Sequence, residues 1–159
     1  MVIKLITVGK LKEKYFREAA EEYEKRLGAY CKLEVCELEP ARLSDDPSDG
    51  DISRALEKES ADILRKIPAG SFVVPLCVEG GQLTSEGFAK LIGREAAGGR
   101  STFVFIIGGS YGLSDKVKTR GDLRLGMSEM TFPHRLARIM LTEQLYRAFT
   151  LMSNGKYHK

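Results

Sequence analysis

Apolar residues fall along this chain in two rhythms. Short blocks rich in β-branched and aromatic residues read as strands at 1–8, Lys32–Leu38, 72–78 and 103–107, and Leu123-Arg124-Leu125-Gly126 reads as a last, short strand. Between them the apolar positions recur at helical spacing. Phe16, Ala19, Ala20, Tyr23 and Leu27 stripe a helix over 12–27 and are expected in the core. A second helix, capped by Asp51 or Ser53, runs to about Lys66, where Pro68-Ala69-Gly70 stops the chain. A third is capped by Ser85, runs through Ala97 and ends at Gly98-Gly99. A short helix spans 114–118. The last starts at Pro133, a residue suited to a first helical turn, and ends near Met152. Ala137, Leu141, Leu145, Ala148 and Met152 form its buried stripe, with Arg135, Arg138 and Thr142 pointing elsewhere.

Strands and helices alternate, so the expected fold is α/β, a single domain with a mainly parallel sheet and helices on both faces. The stretch Phe103-Val104-Phe105-Ile106-Ile107-Gly108-Gly109-Ser110-Tyr111-Gly112 organises the rest. Its five bulky apolar residues suit a strand buried on both faces in the middle of the sheet. Its glycines let backbone turn sharply and a ligand come close to main-chain groups, in the crevice where open α/β sheets bind ligands. A similar glycine-bearing loop follows Val78, and both should open at the carboxyl edge. The spacing is neither the dinucleotide fingerprint nor a P-loop, which points away from a nucleotide phosphate.

Composition narrows the class further. No run approaches the roughly 20 apolar residues of a membrane span, and the N-terminal residues lack the pattern of a signal peptide, so the expectation is a cytoplasmic protein with no membrane partner. Three cysteines, Cys31, Cys36 and Cys77, an odd count, argue against a disulfide framework and match no zinc spacing; buried or half-buried thiols and no metal are expected. Charge is uneven. Residues 1–114 carry 16 Lys/Arg against 18 Asp/Glu, whereas 115–159 carry 9 against 4. A solvated helix face explains so small a gap; the sharper reading is an anionic macromolecule, RNA before membrane.

The sequence becomes specific at Gly126-Met127-Ser128-Glu129-Met130-Thr131-Phe132-Pro133-His134-Arg135-Leu136, followed by Thr142-Glu143-Gln144-Leu145-Tyr146-Arg147-Ala148 and the terminal Tyr157-His158-Lys159. Together with the organising stretch and Leu76-Cys77-Val78-Glu79-Gly80, these runs resemble the pseudouridine methyltransferase H family (RlmH) of the SPOUT superfamily, over the whole chain. The resemblance implies an α/β fold whose C-terminal segment makes a trefoil knot. It implies S-adenosyl-L-methionine as methyl donor, with S-adenosyl-L-homocysteine as product. It also implies a homodimer, and methylation of N3 of a pseudouridine in a stem-loop of 23S rRNA within the assembled ribosome; DNA has no part in it.

Carried over by position, the resemblance places the cofactor against Leu76, Gly108, Met127, Ser128, Glu129, Met130, Thr131 and Phe132. It places Glu143, Arg147, Tyr157 and His158 on the target-base side. Arg147 is suited to stabilising a deprotonated imide, and His158 is the tail group with an ordinary pKa near neutrality. Glu143 and Arg147 also form an ordinary i,i+4 helix pair, and Met127 and Met130 are also ordinary core fillers. Relatives commonly have Pro where this chain has Lys156. Two other readings compete: a non-catalytic knotted module that binds rRNA, and a SPOUT methyltransferase acting on another RNA base.

Overall fold

The computed structural model describes residues 1–153. Four strands, β1 (Val2–Val8), β2 (Lys32–Leu38), β3 (Phe72–Gly81) and β4 (Thr102–Ile107), form one sheet in the order β2-β1-β4-β3. Every pairing is parallel. β4 therefore lies inside the sheet, as its unbroken apolar run requires, with Phe103, Val104, Phe105 and Ile106 essentially removed from solvent.

Alternate side chains of the inner strands feed two cores. On one face Ile3, Leu5, Phe103 and Phe105 pack with Leu27 of α1 (Lys14–Leu27), Phe88 and Ile92 of α3 (Ser85–Ala97), and Leu141 and Leu145 of α5 (His134–Met152). On the other face Ile6, Val8, Val104 and Ile106 pack with Ile63 of α2 (Asp49–Arg65) and Val117 of α4 (Asp115–Arg120). Helices thus cover both faces, in agreement with the expected class.

Several local expectations change. α2 starts earlier than Asp51 or Ser53 suggested, because Ser48 and Asp51 form a reciprocal capping box. Thr84, one residue before Ser85, caps α3 by accepting the Gly87 N–H. In α1 only Ala20 and Leu27 of the stripe are fully buried; Phe16, Ala19 and Tyr23 are half-buried. In α5, Arg138 and Thr142 are buried instead of pointing outward, while Met152 is exposed. The helix lies between α1 and α3, so more than one stripe of it is covered, and Arg138 is held there by carboxylates of α1 and β2.

Residues 123–126 do not form a strand. The segment after α4 begins to pair with the outer edge of β3, with Asp122 N–H donating to the Val73 carbonyl and the Asp122 carboxylate accepting the Val73 N–H. Pro75, two residues on, has no N–H to offer that edge. Pairing resumes only as single bridges from Leu125 to Leu76 and Gly81. The chain then passes from the α4 face to the α5 face, gripped by hydrogen bonds from Gly81 N–H to the Arg124 carbonyl and from Gly126 N–H to the Gly81 carbonyl, both 3.0 Å. β3 is longer than the sequence suggested because its last residues curl around this passage.

Candidate functional site

A cleft of about 790 Å³ opens at the carboxyl edge of β3 and β4. Its walls are the end of β3, the loop after β4, the segment that crosses from α4 to α5, and the first turn of α5. The loop after β4 doubles back on itself. Gly112 takes a left-handed φ of 75° and its N–H donates to the Gly109 carbonyl at 3.0 Å. A Cβ on Gly108 would sit 2.3 Å from the Gly112 carbonyl oxygen, so only glycine permits the turn.

Of the residues assigned to the cofactor from sequence, Leu76, Gly108, Met127, Ser128, Met130, Thr131 and Phe132 all line this cleft. Glu129 is exposed and does not. Leu76 and Leu125 supply an apolar inner wall, whereas Met130, 71% exposed, stands at the rim. Ser128 organises the rim by accepting the Met130 N–H at 3.1 Å. The cleft thus joins apolar walls with accessible loop backbone, the chemistry needed to hold an adenine and an amino-acid end together.

Sequence reasoning passed over several residues of the cleft. Lys118 of α4 pairs with Glu79 at 2.5 Å, and that hydrogen bond holds the Glu79 carboxyl below its ordinary range. His134 lies at the foot of α5; burial, then the Arg135 charge, lowers its pKa, so the imidazole is neutral at neutral pH. Burial raises the Cys77 thiol, which keeps it protonated. His134 belongs to a run quoted for the resemblance, but nothing in its spacing distinguished it from a residue at a helix start.

Glu143 lies in an adjoining pocket of about 510 Å³, with Ser85, Gln144, Met140 and Tyr23. Leu125 and Met127 line both cavities, so the crossing segment is the partition between them. Polar groups run along this pocket in series. Ser85 Oγ donates to Gln144 Oε1 at 2.7 Å, Gln144 Nε2 donates to Glu143 Oε2 at 2.7 Å, and Arg147 donates to Glu143 Oε1 from Nη2 at 2.5 Å and Nε at 3.1 Å. The ion pair is half-buried, at 29% and 15% side-chain exposure, so it is more than decoration of an exposed helix face. Tyr157 and His158, with Lys156, lie outside the described residues. Cys31, Cys36 and Cys77 are half-buried free thiols. Among the described residues no group of His, Cys, Asp and Glu could hold a metal ion, and no helix is long and apolar enough to cross a membrane.

The family model described as "Predicted SPOUT methyltransferase" matches residues 1–158. The chain belongs to the SPOUT methyltransferase family. Within it, the chain is 48% identical over 159 residues to proteins named Ribosomal RNA large subunit methyltransferase H from Clostridium perfringens and Clostridium beijerinckii, covering the whole of each. The same fold recurs in solved structures of remote sequence. A protein of Haemophilus influenzae Rd KW20 described as a probable methylase family protein superposes with a TM-score of 0.56 at 12% identity, covering 99% of this chain and 70% of that one. One from Neisseria gonorrhoeae gives 0.53 at 12% identity, covering 91% and 81%. In this SPOUT enzyme the cleft and its partition sit where the chain crosses the sheet edge between α4 and α5.

Proposed function

We propose that this SPOUT methyltransferase transfers a methyl group from S-adenosyl-L-methionine to N3 of a pseudouridine in a stem-loop of 23S rRNA. The reading includes the assembled ribosome as substrate, a homodimer as the working unit, and the cytoplasm as the place of action. The observation that carries it is convergence. Residues distant in sequence, Leu76, Gly108 and, apart from Glu129, the run from Met127 to Phe132, meet in one cleft beside the pocket of Glu143. Full-length relatives named for rRNA methylation agree with it.

When bound, S-adenosyl-L-methionine supplies a methyl group already activated on a sulfonium sulfur. The chain's own task is then mainly placement. Leu76, Leu125 and Met127 take the apolar part of the cofactor, and the backbone of the Gly108 loop supplies donors and acceptors. The crossing segment sets the two cavities side by side, one suited to the donor and the other to the acceptor. Arg147, held by Glu143, offers a fixed cation to the imide after its N3 proton has gone. His158 is the tail group whose ordinary pKa suits taking that proton, and the resemblance assigns Tyr157 to the target base with it.

Isothermal titration with S-adenosyl-L-methionine tests the first half of this reading. One site per chain is expected, abolished by Leu76→Arg, which fills the inner wall with a charge. Equal heats from Leu76→Arg and the unaltered protein would remove the cofactor from this cleft.

A further inference from the structure

Glu59 and Ser60 are consecutive on α2, yet they reach opposite ends of the loop after β4. Glu59 Oε2 lies 4.0 Å from where a Cβ on Gly109 would stand, behind the loop's first turn. Its other oxygen, Oε1, accepts the Ala41 N–H at 2.9 Å. Ser60, 2% exposed, donates to the Leu56 carbonyl at 2.5 Å and is hydrogen-bonded to Ser114 Oγ. Ser114 is the N-cap of α4, the residue at which the loop ends. One turn further along α2, Ile63 packs in the same core cluster as Leu113 and Val117. One face of α2 therefore backs the loop at both of its ends.

We propose that Glu59 and Ser60 are positioning residues for the cofactor cleft. They fix the entrance and exit of loop 108–114, so its backbone meets the ligand in one conformation, and Glu59 ties that conformation to the segment around Ala41. The inference rests on the reading of this cleft as the cofactor site. Neither side chain lines the cleft, so both act through the loop. The energetics favour such a role over a purely structural one. Glu59 is half-buried and has no ion pair among the described residues, and burial raises its pKa against the opposing Ala41 N–H. A carboxylate in that setting does little for the fold, because burying a charge costs free energy that one hydrogen bond only partly offsets. Its use is to hold geometry, which gains affinity by reducing the ordering needed when ligand binds.

Glu59→Ala and Ser60→Ala should each weaken S-adenosyl-L-methionine binding about tenfold, and raise KM to match, with kcat within about twofold. The melting temperature of the ligand-free Glu59→Ala protein should be unchanged or higher. Glu59→Gln, which keeps the shape and an acceptor for Ala41, should restore affinity to within about threefold. Unchanged affinity in folded Glu59→Ala and Ser60→Ala overturns the proposal. So does a loss that tracks a fall in melting temperature and is not rescued by glutamine. If Glu59→Ala does not fold, Glu59→Gln and Ser60→Ala decide the matter, the positioning role requiring near-normal affinity in the first and weakened affinity in the second. Hydrogen exchange of the amides at 108–114 separates the loop-fixing role from the cofactor reading. Faster exchange in Ser60→Ala, with no cofactor binding even by the unaltered protein, keeps the loop-fixing role and removes the cofactor reading; unaltered exchange removes the role itself.

Discussion

Gly80 and Gly126 stand backbone to backbone where the chain crosses the end of β3. A Cβ on Gly80 would lie 2.5 Å from the Gly126 nitrogen, and one on Gly126 would lie 2.5 Å from the Gly80 carbonyl oxygen. Backbone blocks both positions, so no side-chain rotation relieves the overlap. Gly80→Ala and Gly126→Ala should each cost about 3 kcal/mol or more in urea denaturation. Gly81→Ala is the control. Its Cβ would meet nothing nearer than the Arg124 carbonyl oxygen at 3.9 Å, and a change within about 0.5 kcal/mol is expected. Wild-type stability in Gly80→Ala would mean that the crossing is looser than described.

Arg138 ties α5 to its neighbours. Its guanidinium donates to Glu37 of β2 at 2.6 Å and to Glu24 of α1 at 3.0 Å, with 7% of the side chain exposed. Arg138→Ala leaves two carboxylates facing a void. The expected loss is about 3 kcal/mol, at the lower end for a broken buried pair because both carboxylates keep some solvent contact. Adding Glu24→Gln to that variant should recover part of the loss, read as a coupling energy in a double-mutant cycle. Additive effects would show that the two groups do not interact.

The capping box of α2 makes a prediction about pH. Ser48 Oγ donates to the Asp51 carboxylate at 2.6 Å, and with Arg54 it lowers the Asp51 pKa to about 2. The unfolded value is about 3.9. The folded state therefore prefers the ionised form, so the contribution is complete above the unfolded pKa and is lost as pH falls toward the folded one. The stability difference between the unaltered protein and Asp51→Ala should be constant from pH 7 to about pH 5 and shrink between about pH 4 and pH 2. A difference that grows on acidification would contradict the assignment.

Arg147→Ala should lower methyl transfer by about 100-fold or more while leaving S-adenosyl-L-methionine affinity within about threefold, because the guanidinium serves the acceptor and not the donor. Arg147→Lys should recover little, since one ammonium cannot reproduce the two bonds to Glu143. Loss of cofactor affinity in either variant would move Arg147 to the donor side.

Much of the frame was legible because it rests on local pattern. The apolar run 103–107 has one stable place, inside a parallel sheet, and β4 occupies it. The resemblance gathered residues from 76 to 132 into one site, and all but Glu129 line the cleft. What escaped depends on contacts between distant segments. Arg138 looks like a surface residue until Glu24 and Glu37, more than 100 positions away, are brought beside it. Residues 123–126 have a strand's composition, but the missing N–H of Pro75 breaks the edge with which they would pair. Glu59, one of several carboxylates on an amphipathic helix, carries no local mark at all; its neighbour Gly109 is 50 residues on.

The proposed reaction is methyl transfer to a pseudouridine of the large-subunit RNA. The direct measurement is transfer of a labelled methyl group from S-adenosyl-L-methionine to assembled ribosomes that lack the modification, beside ribosomes that also lack the target pseudouridine. Label in 23S rRNA that disappears without the pseudouridine is the predicted result. Label independent of the pseudouridine, or none from a protein that binds the cofactor, would contradict it.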